Sequence, residues 1–490
     1  MTAERFASFG RCASGHSMVE RPTDIDEVRA VFDRALREHR HVTIRGGGHS
    51  FDGQALHEGD TGSQIVLQTD LFTRIDFGPG PLVTVGAGAK WGDILERSIE
   101  HGLIPAIIQT ARGATAGGTL AGDCLSRFSG ALGKESAWIE SFTLVPPGHA
   151  PVPCSRSENP ELFHAAIGGH GYLGFVTDIT YRLLEFAPGS VARTEVATFR
   201  SLPDLLDAQI PRALEVFSNA SSIRGALVAA RAGGAASRLQ ATPDIRALSS
   251  VAFQSGKVVK GAVFESFYAQ PANPPLPPFP LYNNLDGGLR YAAELAARND
   301  QLNRLFHESL FSLMETLLKS FEDDIAEFSF FMDGNTFAKQ RFEREHPRRV
   351  FPITQQTFVI PDRESTVHFV KECLMRMAAL DVEPTEMDIL FVAEDECLMS
   401  ATFKQGGFAV SLAFENYEGP CPPAHVDALL RGLSAVCADL GGRIHLVKNL
   451  RSEKADVRRM FDATIRQFEK IKASLDPAGI LRNPFFDKIF

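Results

Sequence analysis

The chain has 490 residues, 44% hydrophobic and 22% charged, a globular composition too long for one hydrophobic core, so two or more domains are expected. A net charge of −10 and a pI near 5.8 argue against a general binder of nucleic acid or anionic membranes. The start, "MTAERFASFGRCASGH", lacks the apolar core of a secretory signal and no apolar run is long enough to span a bilayer. Seven scattered cysteines without a CxxC pair fit reduced thiols, so a cytoplasmic protein is expected.

In chain order, "TDIDEVRAVFDRALREHR" reads as a capped amphipathic helix, and "HVTIRGGGHS" as a strand running into a loop. "QIVLQTDLFTRIDF" and "PLVTVGAGAKWGDILERSIEHGL" add short strands and a helix. From about Glu185 the patterns lengthen and glycine thins out. The proline-rich stretch Gln270–Asn284 reads as a loop or lid, and "QQTFVIP" and "GFAVSLAFE" read as strands. The expected class is α+β.

Two stretches imitate nucleotide motifs. "GHGYLG" (Gly169–Gly174) spells GxGxxG, yet a helical pattern precedes it and an alternating strand follows, the reverse of a dinucleotide fingerprint. "GALGKES" (Gly130–Ser136) looks like the end of a phosphate loop, but Glu135 stands where a hydroxyl would meet magnesium. No metal-ligand spacing is present, so no metal is expected.

Consecutive glycines leave backbone N–H groups unshielded and permit φ > 0, which suits a loop wrapped around a phosphate. Three glycine-rich loops occur in the first 180 residues: Gly46–Ser50, Gly113–Asp123 and Gly168–Asp178. Together with "RGGGHSFDGQ", "WGDIL", "TAGGTLAG", the run from Cys154 to Leu183 and the closing "LDPAGILRNPFFDKIF", they resemble the vanillyl-alcohol oxidase and p-cresol methylhydroxylase superfamily of FAD-linked oxidoreductases. The nearest branches are the cytokinin dehydrogenases and the aldonolactone and alditol oxidases.

The resemblance implies a two-domain FAD-binding fold of the p-cresol methylhydroxylase type. Residues 1–185 would bind FAD, 186–454 would form a substrate domain built on an antiparallel sheet, and 455–490 would return to the FAD domain. Gly46, Gly47 and Gly48 would wrap the pyrophosphate, and His49 would carry the flavin covalently. Ser50 and Gln54 would bond phosphate or ribose; Thr115, Gly117, Gly118, Ala121 and Leu125 would line the isoalloxazine; Val176 would meet the adenine end; and Asn483 would cover the flavin. A second, cysteinyl link is not expected, because Gly113 holds the corresponding position.

For chemistry, the resemblance implies hydride transfer from a CH–OH or CH–NH group of a small molecule to FAD, with oxygen or another acceptor taking the electrons. A flavin-binding protein without turnover and a reductase using NADPH are the alternatives. The catalytic aspartate of cytokinin dehydrogenases falls at Thr110. The aldonolactone pattern of a glutamate, an arginine, a histidine and a lysine falls on Glu386, Asp388, His445 and Lys448, with Asp388 in the arginine's place. Residues 386 and 388 are two apart on an expected strand, so both carboxylates face one side and raise each other's pKa.

Overall fold

Val28, Val31, Phe32 and Ala35 recur every three to four residues, so a helix carries them on one stripe. A computed structural model of the chain describes residues 3–108, 111–233, 238–255, 258–279, 292, 300–317, 319–328, 352–415 and 422–490. It places this helix at Ile25–Glu38, with the Asp24 carboxylate accepting the Glu27 N–H as an N-cap. The stripe buries against a sheet of β1 (Ala3–Ala7), β2 (Ser14–Glu20), β3 (Val42–Arg45) and β4 (Thr61–Gln68), in the order β1-β2-β4-β3. Strands β2 and β3 run parallel to β4.

Next come β5 (Ile75–Phe77), β6 (Leu82–Gly86), β7 (Leu103–Ile104), β8 (Ile139–Val145), β9 (Val152–Ser155), β10 (Phe175–Arg182) and β11 (Leu184–Glu185). Strands β7 and β11 pair with each other, and the rest form an antiparallel sheet ordered β5-β6-β10-β8-β9. Helix Pro160–Ala166 precedes the GxGxxG look-alike and β10 follows it, the order that rules out a dinucleotide fingerprint.

The third sheet holds β12 (Val191–Phe199), β13 (Arg246–Ser255), β14 (Val258–Ala269), β15 (Ser320–Asp324), β16 (Ile353–Ile360), β17 (Glu386–Val392), β18 (Gly407–Glu415) and β19 (Arg443–Ile444). Among the described residues it has eight strands, ordered β15-β12-β14-β13-β17-β18-β16-β19, and every neighbouring pair is antiparallel.

Side chains alternate along a strand. On β16, β17 and β18 the set Phe358, Ile360, Ile389, Phe408, Val410 and Leu412 joins a core with helices Arg363–Leu380 and Ala424–Asp439. The other face, carrying Gln355, Thr357, Glu386, Asp388 and Ser411, is turned to a cavity. Period two thus decides which residues reach the site.

The chain's last turn comes back to β3. The Val42 N–H donates to the Ile480 carbonyl at 2.8 Å, and Val42 bridges Leu481 in parallel. Residues 270–279 run as a loop without helix or strand, and the remainder of the proline-rich stretch lies outside the described residues. Cys124, Cys154, Cys373, Cys397 and Cys437 are free thiols, whereas Cys12 is disulfide-bonded, which corrects the expectation that every thiol is reduced. Among the described residues no helix is long and apolar enough to cross a membrane.

Candidate functional site

The glycine loop leaves β3 at Arg45, whose guanidinium donates to the carbonyls of Ala55 (3.0 Å) and Ala7 (3.3 Å) and so fixes the loop's base. A Cβ on Gly46 would strike the Thr115 hydroxyl, and one on Gly47 would strike the Gly113 carbonyl. The Gly47 N–H donates to Thr115 Oγ1 at 3.2 Å. These glycines let two loops lie against each other, so their first task is loop–loop approach. Gly117 does the same, its N–H donating to the Ala87 carbonyl at 2.8 Å.

His49 projects from this loop, stacked on Phe9 with ring centroids 5.7 Å apart, and a Cβ on Gly113 would come within 3.0 Å of its Cε1. Burial pushes its pKa down to about 4, so the imidazole is neutral. Neutrality is what a ring nitrogen needs to act as a nucleophile or to bear a covalent substituent.

Helix Ala116–Gly122 forms the next wall and ends at Asp123, which takes the left-handed conformation at φ 45°. Beneath it, Trp91 Nε1 donates to Thr119 Oγ1 (2.7 Å), while Thr119 and Tyr181 hydroxyls donate to Glu135 Oε1 at 2.9 and 2.6 Å. Burial raises the Glu135 carboxyl to about 8. Lys134, in the phosphate-loop look-alike, is only 2% exposed; its ammonium lies 2.5 Å from Asp123 Oδ2 and 3.1 Å from Asp395 Oδ2. It is a buried strut rather than a phosphate ligand. Cys397 Sγ stands within 4.8 Å of the same two carboxylates, whose charge that ammonium meets.

The two loops and the polar sheet face enclose a cavity of about 310 Å³. Gly46, Gly47, Gly48, His49, Ser50 and Gln54 line it from the first loop. Thr115, Gly118, Ala121 and Leu125 line it from the second, and Glu386, Asp388, His445 and Lys448 from the opposite wall. Gly117 and Val176 instead line a smaller adjoining cavity of about 50 Å³. Thr110 lies outside the described residues.

Two expected cofactor ligands are already engaged by protein. Gln54 Nε2 points at the carbonyls of Leu446 (3.0 Å), Val447 (3.1 Å) and Lys448 (2.7 Å), and its Oε1 accepts the Asp52 N–H, so its amide holds the Lys448 segment instead of a phosphate. Asn483 lines neither cavity. It caps helix Pro484–Ile489, accepts from the Tyr172 hydroxyl at 2.9 Å and donates to the Gly53 and Gln54 carbonyls, which makes it a clamp on the first loop.

On the far wall, Asp388 Oδ1 is buried without a hydrogen-bond partner among the described residues. Burial, and next the neighbouring Glu386, push its pKa up to about 7, against the pull of Arg127 and Lys448. Burial pushes the Lys448 ammonium down to about 8, and its Nζ sits 4.1 Å from the centre of the Phe51 ring. His445 is held well below its usual range by burial and by Lys134 and Lys448, so it is neutral. Burial raises the Cys124 thiol, which leaves it protonated and unreactive.

Sequence reasoning missed Arg127, Gln355, Ser411 and His170, all of which line the cavity. Gln355 and Ser411 fall on expected strands at the parity of the cavity face and were within reach of the alternation argument. His170 was hidden inside the false GxGxxG.

The cavity suits FAD on its own terms: glycine loops hold open a long trough, a neutral histidine ends one loop, and a buried acid and amine face it across the gap. Comparison with known proteins agrees. Residues 17–148 match the family described as FAD binding domain, and residues 294–489 match the family described as D-arabinono-1,4-lactone oxidase. The chain is 27% identical over 178 residues to an uncharacterised oxidoreductase of the fasciation locus of Rhodococcoides fascians, covering 36% of this chain and 40% of the relative. It is 29% identical over 218 residues to cytokinin dehydrogenase 7 of Oryza sativa subsp. japonica, covering 42% and 41%. To cytokinin dehydrogenase 1 of Arabidopsis thaliana it is 34% identical over 141 residues, covering 28% and 24%. The matched stretches thus span about two-fifths or less of these relatives.

The two family matches follow one another along the chain and define its class, a FAD-dependent oxidoreductase. It belongs to the vanillyl-alcohol oxidase and p-cresol methylhydroxylase superfamily, near the cytokinin dehydrogenase and aldonolactone oxidase branches.

Proposed function

We propose that this protein oxidises a CH–OH or CH–NH group of a small molecule, with residues 1–185 and 455–490 holding the FAD and 186–454 holding the substrate. The observation that carries the reading is the meeting, in one cavity, of a buried acid raised to about 7 and a buried amine lowered to about 8. Groups poised near the working pH on either side of a trough are the usual equipment for moving a proton.

When bound, FAD supplies the acceptor for the hydride, and oxygen or another oxidant later takes the electrons. Asp388 takes the O–H or N–H proton of the substrate through its free Oδ1. Lys448, as a cation, stabilises negative charge that gathers across the cavity, and neutral His445 donates or accepts a hydrogen bond without adding charge. His49 carries the flavin covalently, so the cofactor is not lost between turnovers. Glu386, Asp388 and Glu415 together favour a substrate bearing a positive charge, an amine or amino alcohol, over a lactone.

An anaerobic screen tests this directly. Adding alcohols and amines one at a time should bleach the yellow flavin with at least one of them, and bleaching by NADPH alone would mean a reductase instead. Acid precipitation should leave the yellow colour in the pellet, and His49→Ala should release it to the supernatant. A colourless wild-type pellet rules out the covalent link.

A further inference from the structure

The two cavities share five lining residues, Ile44, Gly46, Gly118, Ala121 and His170, which therefore form the throat between them. The larger cavity has the His49 loop and the polar sheet; the smaller is walled by Ala87, Leu144, Leu173 and Val176, side chains suited to a flat apolar ring. A flavin dinucleotide laid with its flavin in the first and its adenine in the second passes its diphosphate linker through this throat. Of the five shared residues only His170 has a polar side chain.

His170 is held there with some force. It is one of the few non-glycine residues with positive φ (53°), a conformation that histidine tolerates better than most but that still needs support. The support is visible: the His170 N–H donates to the Ala121 carbonyl and the Gly168 N–H to the Leu120 carbonyl, both at 2.9 Å, clipping the turn onto helix Ala116–Gly122. Phe485 packs edge-on to the imidazole, 5.7 Å between centroids, and Tyr172 flanks it at 6.1 Å. No hydrogen bond from the described residues reaches its ring nitrogens, although the ring is polar and the turn is strained to present it. Burial lowers its pKa to about 4, so the ring is neutral and carries one N–H donor without the penalty of a buried cation.

Resting on the FAD reading above, we propose that His170 is a cofactor-binding residue, donating its ring N–H to the diphosphate linker of FAD in the throat between the two cavities. The donor is neutral and the acceptor ionised, a pairing stronger than one between two neutral groups. Its role is distinct from that of the glycine loops, which shape the trough through backbone contacts.

The test separates the donor from the backbone strain. In a His49→Ala background, which makes binding reversible, FAD, FMN and riboflavin are titrated by flavin fluorescence against three further variants. His170→Gly keeps the left-handed turn without the donor, His170→Asn keeps both, and His170→Leu keeps neither. We expect His170→Gly and His170→Leu to weaken FAD binding by about tenfold or more, His170→Asn to stay close to the parent, and riboflavin, lacking phosphate, to be indifferent to all three. In the otherwise wild-type protein the 31P resonances of bound FAD should move on His170→Gly. Equal FAD affinity for His170→Gly and the parent, or unchanged 31P resonances, overturns the role of His170 while leaving the FAD reading intact. Failure of every form, wild type included, to hold FAD overturns both.

Discussion

Two buried lysines, each facing two carboxylates, do opposite things in this molecule. Lys134 touches Asp123 at 2.5 Å and Asp395 at 3.1 Å; Asp395 is further bonded by the hydroxyls of Ser400 and Thr402, both at 2.6 Å. Burial would lower the pKa of this ammonium, but the two contacts outweigh it and raise it. Lys448 faces Glu386 and Asp388 across a cavity without an ion-pair contact, and here burial wins and lowers the pKa to about 8. Direct contact turns a lysine into a strut. Separation by a ligand-sized space leaves it titratable, and so able to act.

The largest break of this comparison is Lys134→Met. It strands two carboxylates in the interior and should remove about 3–5 kcal/mol of stability, the usual effect of deleting one partner of a buried ion pair. Lys448→Met removes an ammonium that burial already disfavours and should stay within about 1 kcal/mol of wild type. Chemical denaturation of the two variants side by side measures the difference, and equal losses would dissolve the distinction.

Activity should show the reverse order. With a substrate in hand, Lys448→Met and Asp388→Asn should each slow anaerobic flavin reduction by at least about tenfold, about 1.4 kcal/mol, with FAD still bound. Wild-type rates in both would place the chemistry elsewhere.

The finest test is pH. A base must be deprotonated, so flavin reduction should rise as pH climbs through about 7, the value burial gives Asp388. A charge-stabilising amine must be protonated, so the rate should fall as pH passes about 8, the value for Lys448. Asp388→Asn should lose the acid limb and Lys448→Met the alkaline limb. A flat profile between pH 6 and 9 in the wild type would contradict both assignments.

What the sequence discloses follows from how local each signal is. Strands β16 and β18 and the helix after Asp24 are readable because alternation, periodicity and capping lie within a few residues of one another. Glu386 and Asp388 are readable as cavity neighbours for the same reason. Gln54 and Asn483 were misjudged because their partners lie far away in sequence: the Gln54 amide meets carbonyls at 446–448, and Asn483 meets those at 53 and 54. Lys134 is silent in the sequence, since nothing near it announces Asp395. His170 shows a subtler failure: rejecting a false motif removed from view the one side chain in it that mattered.

The parallel bridge between Val42 and Leu481 reaches beyond geometry into the order of events in synthesis. Strand β3, which launches the His49 loop, lacks its pairing with residues 480 and 481 until nearly the whole chain has left the ribosome. Asn483 and Lys488, which tie down the same loop through Gly53, Gln54 and Asp52, emerge later still. A nascent chain therefore carries the glycine loop for most of its synthesis without the clamp that sets its shape. Capture of the flavin is then an act of the finished polypeptide, and the coloured protein appears only after translation ends.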